Sequence, residues 1–213
     1  MTRNKKRIPE FPEDYSGENA LIYNAQKWME RNQKRSTLEC IQYLSDPKLG
    51  SIDMNKSYVI LDLGCGTGFS TEIIQEYKFK VIGVEILSDM IELALQRKRE
   101  FKINMELILA NINYLPIRKK AVDHILSVSA YNFIIHGKKT ERGKKRTVNS
   151  TAKYLNKILR TKGRIIIEFY PRDDVERELF TSSFLNNGFE GFFIKNHPNQ
   201  KSGQTFVLLK KIK

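Results

Sequence analysis

The stretch Asp62-Leu63-Gly64-Cys65-Gly66-Thr67-Gly68 constrains the fold of this chain more than any other. An apolar run, Tyr58 to Leu61, leads into it, and a helix-compatible segment, Thr71–Tyr77, follows. Glycines at alternate positions make a tight strand-to-helix turn. They adopt left-handed backbone readily and let a ligand approach the chain closely. A dinucleotide fingerprint is spaced G-x-G-x-x-G and seats a pyrophosphate at the helix N-terminus. Here the third glycine comes one residue early, and Asp62 stands two residues before the first. A carboxylate at that point opposes a pyrophosphate and suits a ligand with a cationic amino-acid end.

A second strand, Lys80–Ile86, carries Glu85, 17 residues after Gly68. An acid there accepts hydrogen bonds from both ribose hydroxyls of a nucleoside. Glu85 therefore fits either nucleoside cofactor, and Asp62 discriminates between them. S-adenosylmethionine has an ammonium, a sulfonium and no phosphate, and is the expected cofactor. Its expected contacts are Asp62, Gly64, Cys65, Gly66, Gly68, Glu85 and Ile86. Asn111 is expected at the adenine amino group, Ile112 beside the ring and Ser127 at the end of strand four.

Around this motif the pattern alternates. Ser57–Leu63, Lys80–Ile86, Met105–Ala110, Asp123–Val128 and Arg164–Phe169 read as strands, and the continuous apolar run of the first suits a parallel strand buried on both faces. Thr71–Tyr77, Asp89–Arg99 (capped by Ser88), Thr147–Leu159 and Val175–Asn187 read as helices. Phe189–Lys195 and Thr205–Lys210 read as a closing antiparallel hairpin around a loop with Pro198 and Gly203. The prediction is an α/β, Rossmann-like sheet of seven strands, mostly parallel with an antiparallel last strand. Ahead of it lie a flexible basic arm at 1–14, broken by Pro9 and Pro12, and a helical extension at 15–56. Its helix runs from Tyr15 to Leu44 and stops at Asp46-Pro47. The domain itself spans 57–213.

Over 57–213 the pattern resembles class I S-adenosylmethionine-dependent methyltransferases. Within that class the chain resembles the guanine-N7 methyltransferase family of small-subunit (18S) ribosomal RNA, as a shorter, archaeal-type relative. The resemblance is carried by the Tyr15–Leu44 helix, Leu61-Asp62-Leu63-Gly64-Cys65-Gly66, Ser127-Val128-Ser129-Ala130, Glu168-Phe169-Tyr170-Pro171-Arg172-Asp173-Asp174 and Asn187-Gly188-Phe189-Glu190-Gly191. Asn132-Phe133 stands where the family often has Gln-Trp, and the long basic C-terminal tail of eukaryotic members is missing from this sequence. The resemblance implies methyl transfer to a guanine N7 in ribosomal RNA. It also implies a small zinc-binding activator protein, and the apolar edge strand 105–110, an aggregation risk unless covered, is the expected place for it to dock by strand addition.

Guanine N7 has a free lone pair and no proton, so its methylation needs positioning rather than a general base. Asn132 and Tyr170 are the expected positioning residues. Tyr131, Phe133 and Phe169 offer stacking faces, and Pro171 stiffens the rim. Exocyclic-amine enzymes need Asp/Asn-Pro-Pro-Tyr/Phe after strand four, and cytosine C5 enzymes need a nucleophilic cysteine near strand four or five. Neither is present, since the two cysteines are Cys40 and Cys65. No Cys-x-x-Cys pair or histidine cluster suggests a metal site. The formal charge is +13, from 37 Lys and Arg against 24 acids, and favours a polyanionic partner. Lys138, Lys139, Lys144 and Lys145, in a basic stretch read as a loop at 136–147, are expected to track an RNA backbone. Arg97-Lys98-Arg99 and Arg118-Lys119-Lys120 add charge elsewhere. No run is apolar enough to span a membrane, and the charged N-terminus is not followed by the apolar run of a signal peptide, so the expected setting is cytoplasmic. The open alternatives are a tRNA or small-molecule methyltransferase, or a cofactor-binding assembly factor with little turnover.

Overall fold

The computed structural model describes residues 10–196 and 204–212. Most of the basic arm (1–9) and the hairpin tip with Pro198 and Gly203 lie outside the described residues. The chain runs α1 (Glu18–Ala25), α2 (Lys27–Tyr43), β1 (Val59–Leu63), α3 (Phe69–Glu76), β2 (Lys80–Glu85), α4 (Ser88–Glu100), β3 (Met105–Leu109), β4 (Val122–Ser127), α5 (Glu141–Ile158), β5 (Leu159–Glu168), α6 (Asp174–Leu185), β6 (Phe189–Lys195) and β7 (Thr205–Lys211). The seven strands form one sheet in the order β3-β2-β1-β4-β5-β7-β6. β1 to β5 are parallel, and β7 runs antiparallel to both β5 and β6. The order reverses between β1 and β4, which opens a crevice at the carboxyl ends of the strands.

Helices cover both faces. Val148, Ala152, Leu155 and Ile158 of α5 join Phe180 and Phe184 of α6 in one core. Cys40 and Ile41 of α2, with Leu44 just after it, join Ile73 and Ile74 of α3 in the other, against Ile60, Leu126 and Ile166 of the sheet. Each of the Val, Leu, Ile and Phe side chains among these contributes about 1.5–3 kcal/mol when buried. α2, read as part of an extension, thus completes the helical layer over the sheet. Its outer turns are fastened to α3 and α4 by Lys34 and Arg97, which share Glu72 at 2.7 and 2.9 Å.

Four local expectations are corrected. The helix at 15–44 breaks at Gln26, whose backbone is extended, so α1 folds back toward α4. Ser88 is the first residue of α4, not its cap; Leu87 holds that position and makes no side-chain cap hydrogen bond. The basic stretch is not all loop, because Thr140 caps the N–H of Gly143 and starts α5 six residues early. β5 begins directly after α5. Its pairing with β4 slips between Val122↔Leu159 and His124↔Arg164, a bulge at 160–163.

Candidate active site

Each component of the site sits where a strand ends. β1 carries Asp62, and the chain then turns through Gly64 at φ 73°, Gly66 at 54° and Gly68 at 88°. The N–H groups of Gly64 and Cys65 both donate to the carbonyl of Val84, at 2.8 and 3.0 Å, which ties the turn to β2. Gly64 lies against Ala130 from the β4 side of the crevice, so close that a Cβ there would stand 2.2 Å from the Ala130 Cβ. Gly66 faces open space and lines the cavity. Gly68 does not line it; it is the left-handed residue that starts α3.

Glu85 closes β2. Its carboxyl accepts the N–H of Gly66 at 3.0 Å, of Ile86 at 2.7 Å and of Leu87 at 3.0 Å. Burial pushes its pKa up, and the three backbone donors pull it back. Ile86 is half exposed beside it on the cavity wall. Asn111 and Ile112, after β3, line the same cavity, and Asn111 caps its own turn by accepting the Asn113 N–H at 2.8 Å. The cavity is about 380 Å³.

Asp62 lies behind the glycine turn, fully buried. One carboxylate oxygen accepts the Ser70 hydroxyl; the other has no hydrogen-bond partner. Burial raises its pKa to about 7, with Glu85 nearby pushing the same way and Ser70 opposing. Ser127 also leaves the expected set. Its hydroxyl is buried and donates to the Leu63 carbonyl at 2.8 Å, which pins β4 to β1.

On the acceptor side the expected residues divide. Phe133, Tyr170 and Lys138 line the cavity, and Tyr170 is half exposed. Tyr131 and Phe169 are not stacking faces: they are 0% and 1% exposed and pack on Phe180. Asn132 does not point its amide at a ligand. Nδ2 donates to the Tyr170 carbonyl at 2.8 Å, and Oδ1 accepts the Tyr170 N–H at 3.2 Å. A side-chain amide matches a peptide unit in both directions, so Asn132 holds the rim that Tyr170 stands on. Pro171 continues that rim outside the cavity lining. Lys139 is exposed in the loop, whereas Lys144 and Lys145 belong to α5, and Lys144 pairs with Glu141.

Sequence reasoning missed two groups. Phe11, Tyr15, Tyr23, Met29 and Gln33, all N-terminal to β1, form a wall of the cavity. Phe11 stacks on Phe133 with centroids 4.8 Å apart, and Tyr23 stacks on Phe69 at 6.2 Å. The aromatic residues of that polar segment were the available signal. The other is Glu168, 1% exposed, which accepts Ser36 at 2.8 Å, Ser129 at 2.6 Å, the Tyr170 phenol at 2.6 Å and Gln204. Among the described residues no group of three or more His, Cys, Asp or Glu is placed to hold a metal ion.

A glycine turn at the switch point, an acid closing the neighbouring strand and an antiparallel seventh strand together define the class of S-adenosylmethionine-dependent methyltransferases. The chain belongs to the methyltransferase domain family, whose model matches residues 54–199. It is 26% identical over 167 residues to the 18S rRNA (guanine-N(7))-methyltransferase of Schizosaccharomyces pombe, covering 78% of this chain and 61% of that protein. The chain spans about half to three fifths of the length of such curated relatives. Its fold is similar to that of a protein from Pyrococcus horikoshii, with a TM-score of 0.68 at 20% identity over 96% of this chain and all of that one. It is also similar to magnesium protoporphyrin IX methyltransferase from Synechocystis with bound SAM, with a TM-score of 0.66 at 12% identity over 93% and 94% of the two chains.

The residues fit the cofactor. Glu85 ends its strand on the cavity wall, where ribose hydroxyls are read, while Asp62 does not line the cavity and keeps one unpaired oxygen buried behind the turn, from where its charge favours a cation in the cavity. The sign of a pH effect follows. Asp62 is raised from its ordinary value, so the ligand-free fold loses stability as pH climbs toward 7 and this buried group ionises. A cationic ligand favours the ionised form, so affinity for S-adenosylmethionine should rise up to about pH 7 and level off above it. Calorimetry in buffers of different ionisation enthalpy should show proton release below pH 7 that D62N reduces, leaving the share due to Glu85. Equal pH profiles for the two proteins would contradict this role.

Proposed function

We propose that this chain methylates the N7 of a guanine in small-subunit ribosomal RNA. The observation that carries the reading is the mixed lining of one cavity. Gly66, Glu85, Ile86 and Asn111, the nucleoside residues, line it together with Phe133, Tyr15, Tyr170 and the exposed Lys138. An unstacked base fits such a wall, and a cation at its mouth fits the phosphate that follows. The names of the curated relatives support the same acceptor.

Bound S-adenosylmethionine supplies a methyl group already activated on a sulfonium for in-line displacement. The chain's own work is positioning. Phe133 and Tyr170 hold the base flat, Asn132 fixes the Tyr170 backbone, and no proton has to leave N7. The edge strand β3 exposes Leu109, and strand addition there is the mode we propose for an activator protein. No helix among the described residues is long and apolar enough to cross a membrane, and we place the activity in the cytoplasm.

Ribosomal subunits lacking the modification, incubated with labelled cofactor and then treated with borohydride and aniline, should show cleavage at one guanosine. Label confined to protein or small metabolites would end this reading. Stacking is worth about 1–3 kcal/mol per base, so F133A/Y170A should lower turnover on RNA by roughly 10- to 100-fold with cofactor affinity unchanged. A smaller acceptor has one observation in its favour: Phe11 already covers Phe133. If F11A raised turnover on RNA, the ring would be a displaceable cover; if it abolished turnover on RNA and spared a small acceptor, the smaller substrate would gain.

A further inference from the structure

We propose that the solvent face of α5 is an RNA-backbone surface, continuous with the cavity mouth, that grips the phosphates of a structured RNA beyond the reacting base. The inference rests on the reading above and extends it to a second surface. α5 buries Val148, Thr151, Ala152, Leu155 and Ile158. At 100° per residue the opposite face carries Arg142, Lys145, Arg146, Lys153 and Lys157, within an arc of about 120°. All five are exposed, and the polar Asn149 lies among them. The single acid in the helix sequence, Glu141, is drawn aside to Lys144.

A merely solvated face would mix its charges, and this one does not. Its charge also runs against the helix. Arg142, Lys144, Lys145 and Arg146 sit in the first turns, where the positive end of the dipole disfavours cations. Free amide groups and clustered cations at one helix end attract phosphate. At that end Lys138 lines the cavity. At the other end the chain folds so that Lys120 donates its N–H to the Lys157 carbonyl and accepts Arg160 Nε at 3.2 Å. Arg160 is held by Asp123 at 2.8 Å, so the exposed Lys120 is the cation that this contact brings beside the end of the helix. α5 has 18 residues and is about 27 Å long, enough to meet several successive phosphates.

The same composition argues against a lipid surface. A helix lying on a membrane needs an apolar face to insert, and none of the large exposed apolar side chains among the described residues belongs to α5. Nor does the surface read sequence, since it presents cations rather than an aromatic slot.

The test reverses charge at the far end of α5. K153E/K157E should weaken binding of a small-subunit rRNA fragment with a duplex stem about tenfold and reduce its salt slope by about two. KM for the fragment should rise by the same factor. kcat, cofactor affinity and methylation of a five-nucleotide single strand should not change. K80E/K102E, which makes the same charge change on β2 and before β3, should bind the fragment like the unaltered protein. Thermal melts check that both variants are folded. A stripe variant that binds like the unaltered protein overturns the surface while leaving the proposed activity standing. So does a control that weakens binding as much, since net charge alone would then be the cause. If the unaltered protein neither binds nor methylates the fragment, the proposed function itself fails. Capture by anionic vesicles as tight as by the fragment would replace RNA with a membrane.

Discussion

Gly64→Val should abolish cofactor binding and lower the melting temperature by about 10 °C. Two independent penalties act at one residue. The backbone at Gly64 has φ 73°, a region where a β-branched side chain is strained by roughly 1–2 kcal/mol. The added Cβ would also meet the Ala130 Cβ at 2.2 Å, and Ala130 has no flexible end to move aside. Overpacking of this kind costs about 1–3 kcal/mol. A total near 3–4 kcal/mol lowers the melting temperature of a chain this size by about 2–4 °C per kcal/mol. Relief can come only from moving the turn away from the β4 side. That drags Gly66 off Glu85 and pulls both N–H groups off Val84. Gly66→Ala is the contrast. No atom lies within 4 Å of its added Cβ, so the fold should lose about 1 kcal/mol from the left-handed backbone alone. Cofactor affinity should still fall, because that methyl projects into the cavity. Calorimetric titration with S-adenosylhomocysteine and thermal denaturation separate the two. Near-normal binding by Gly64→Val would show that the close approach to Ala130 does not shape the site.

The glycine turn, the closing acid and the alternation of strands and helices were legible because each follows from local chemistry. Gly64 and Gly66 are glycine for reasons of backbone conformation, and Glu85 is acidic for reasons of ligand chemistry. What sequence did not reveal depends on pairings between distant segments. Tyr131 and Phe169 look like any exposed aromatic until α6 is placed against them. Asn132 has the chemistry to bind a base, and only the fold shows its amide spent on Tyr170. Ser127 stands at the right strand end, but its hydroxyl is turned into the sheet. At 138–146 the density of charge resembles a loop, while Thr140, a good cap, sets the helix start. The wall built by Phe11, Tyr15 and Tyr23 was the least legible part. Its residues lie far from the motif in sequence, and their helix turns back at Gln26 without a glycine or proline to announce it.

Glu168→Ala should destabilise the protein by about 3–5 kcal/mol and at the same time slow methyl transfer, because one carboxyl joins four segments. Ser36 comes from α2, Ser129 from the turn after β4, Tyr170 from the loop after β5 and Gln204 from the residue before β7. All four donate, and the site is buried, so removing the acceptor strands their donors and leaves a void. Two of the partners, Ser129 and Tyr170, also line the cavity. Ser129 holds φ 56°, a strained position for serine that the bond to Glu168 helps to fix. Loss of the carboxyl therefore loosens the acceptor rim and removes one buried tie of α2 to the sheet in one step. Glu168→Gln separates these effects. It keeps the volume and one acceptor but introduces an NH2 group among hydroxyls, which can rotate to accept from it, whereas the Gln204 amide cannot reverse without turning over. Its stability should fall by about 1–2 kcal/mol. Its kcat on RNA should drop while cofactor affinity stays within about twofold, since no polar contact of Glu85 involves Glu168. Single-turnover kinetics at saturating cofactor, read beside denaturant unfolding, test the separation. If Glu168→Gln lost cofactor affinity in proportion to turnover, Glu168 would be supporting the whole cleft rather than the acceptor rim.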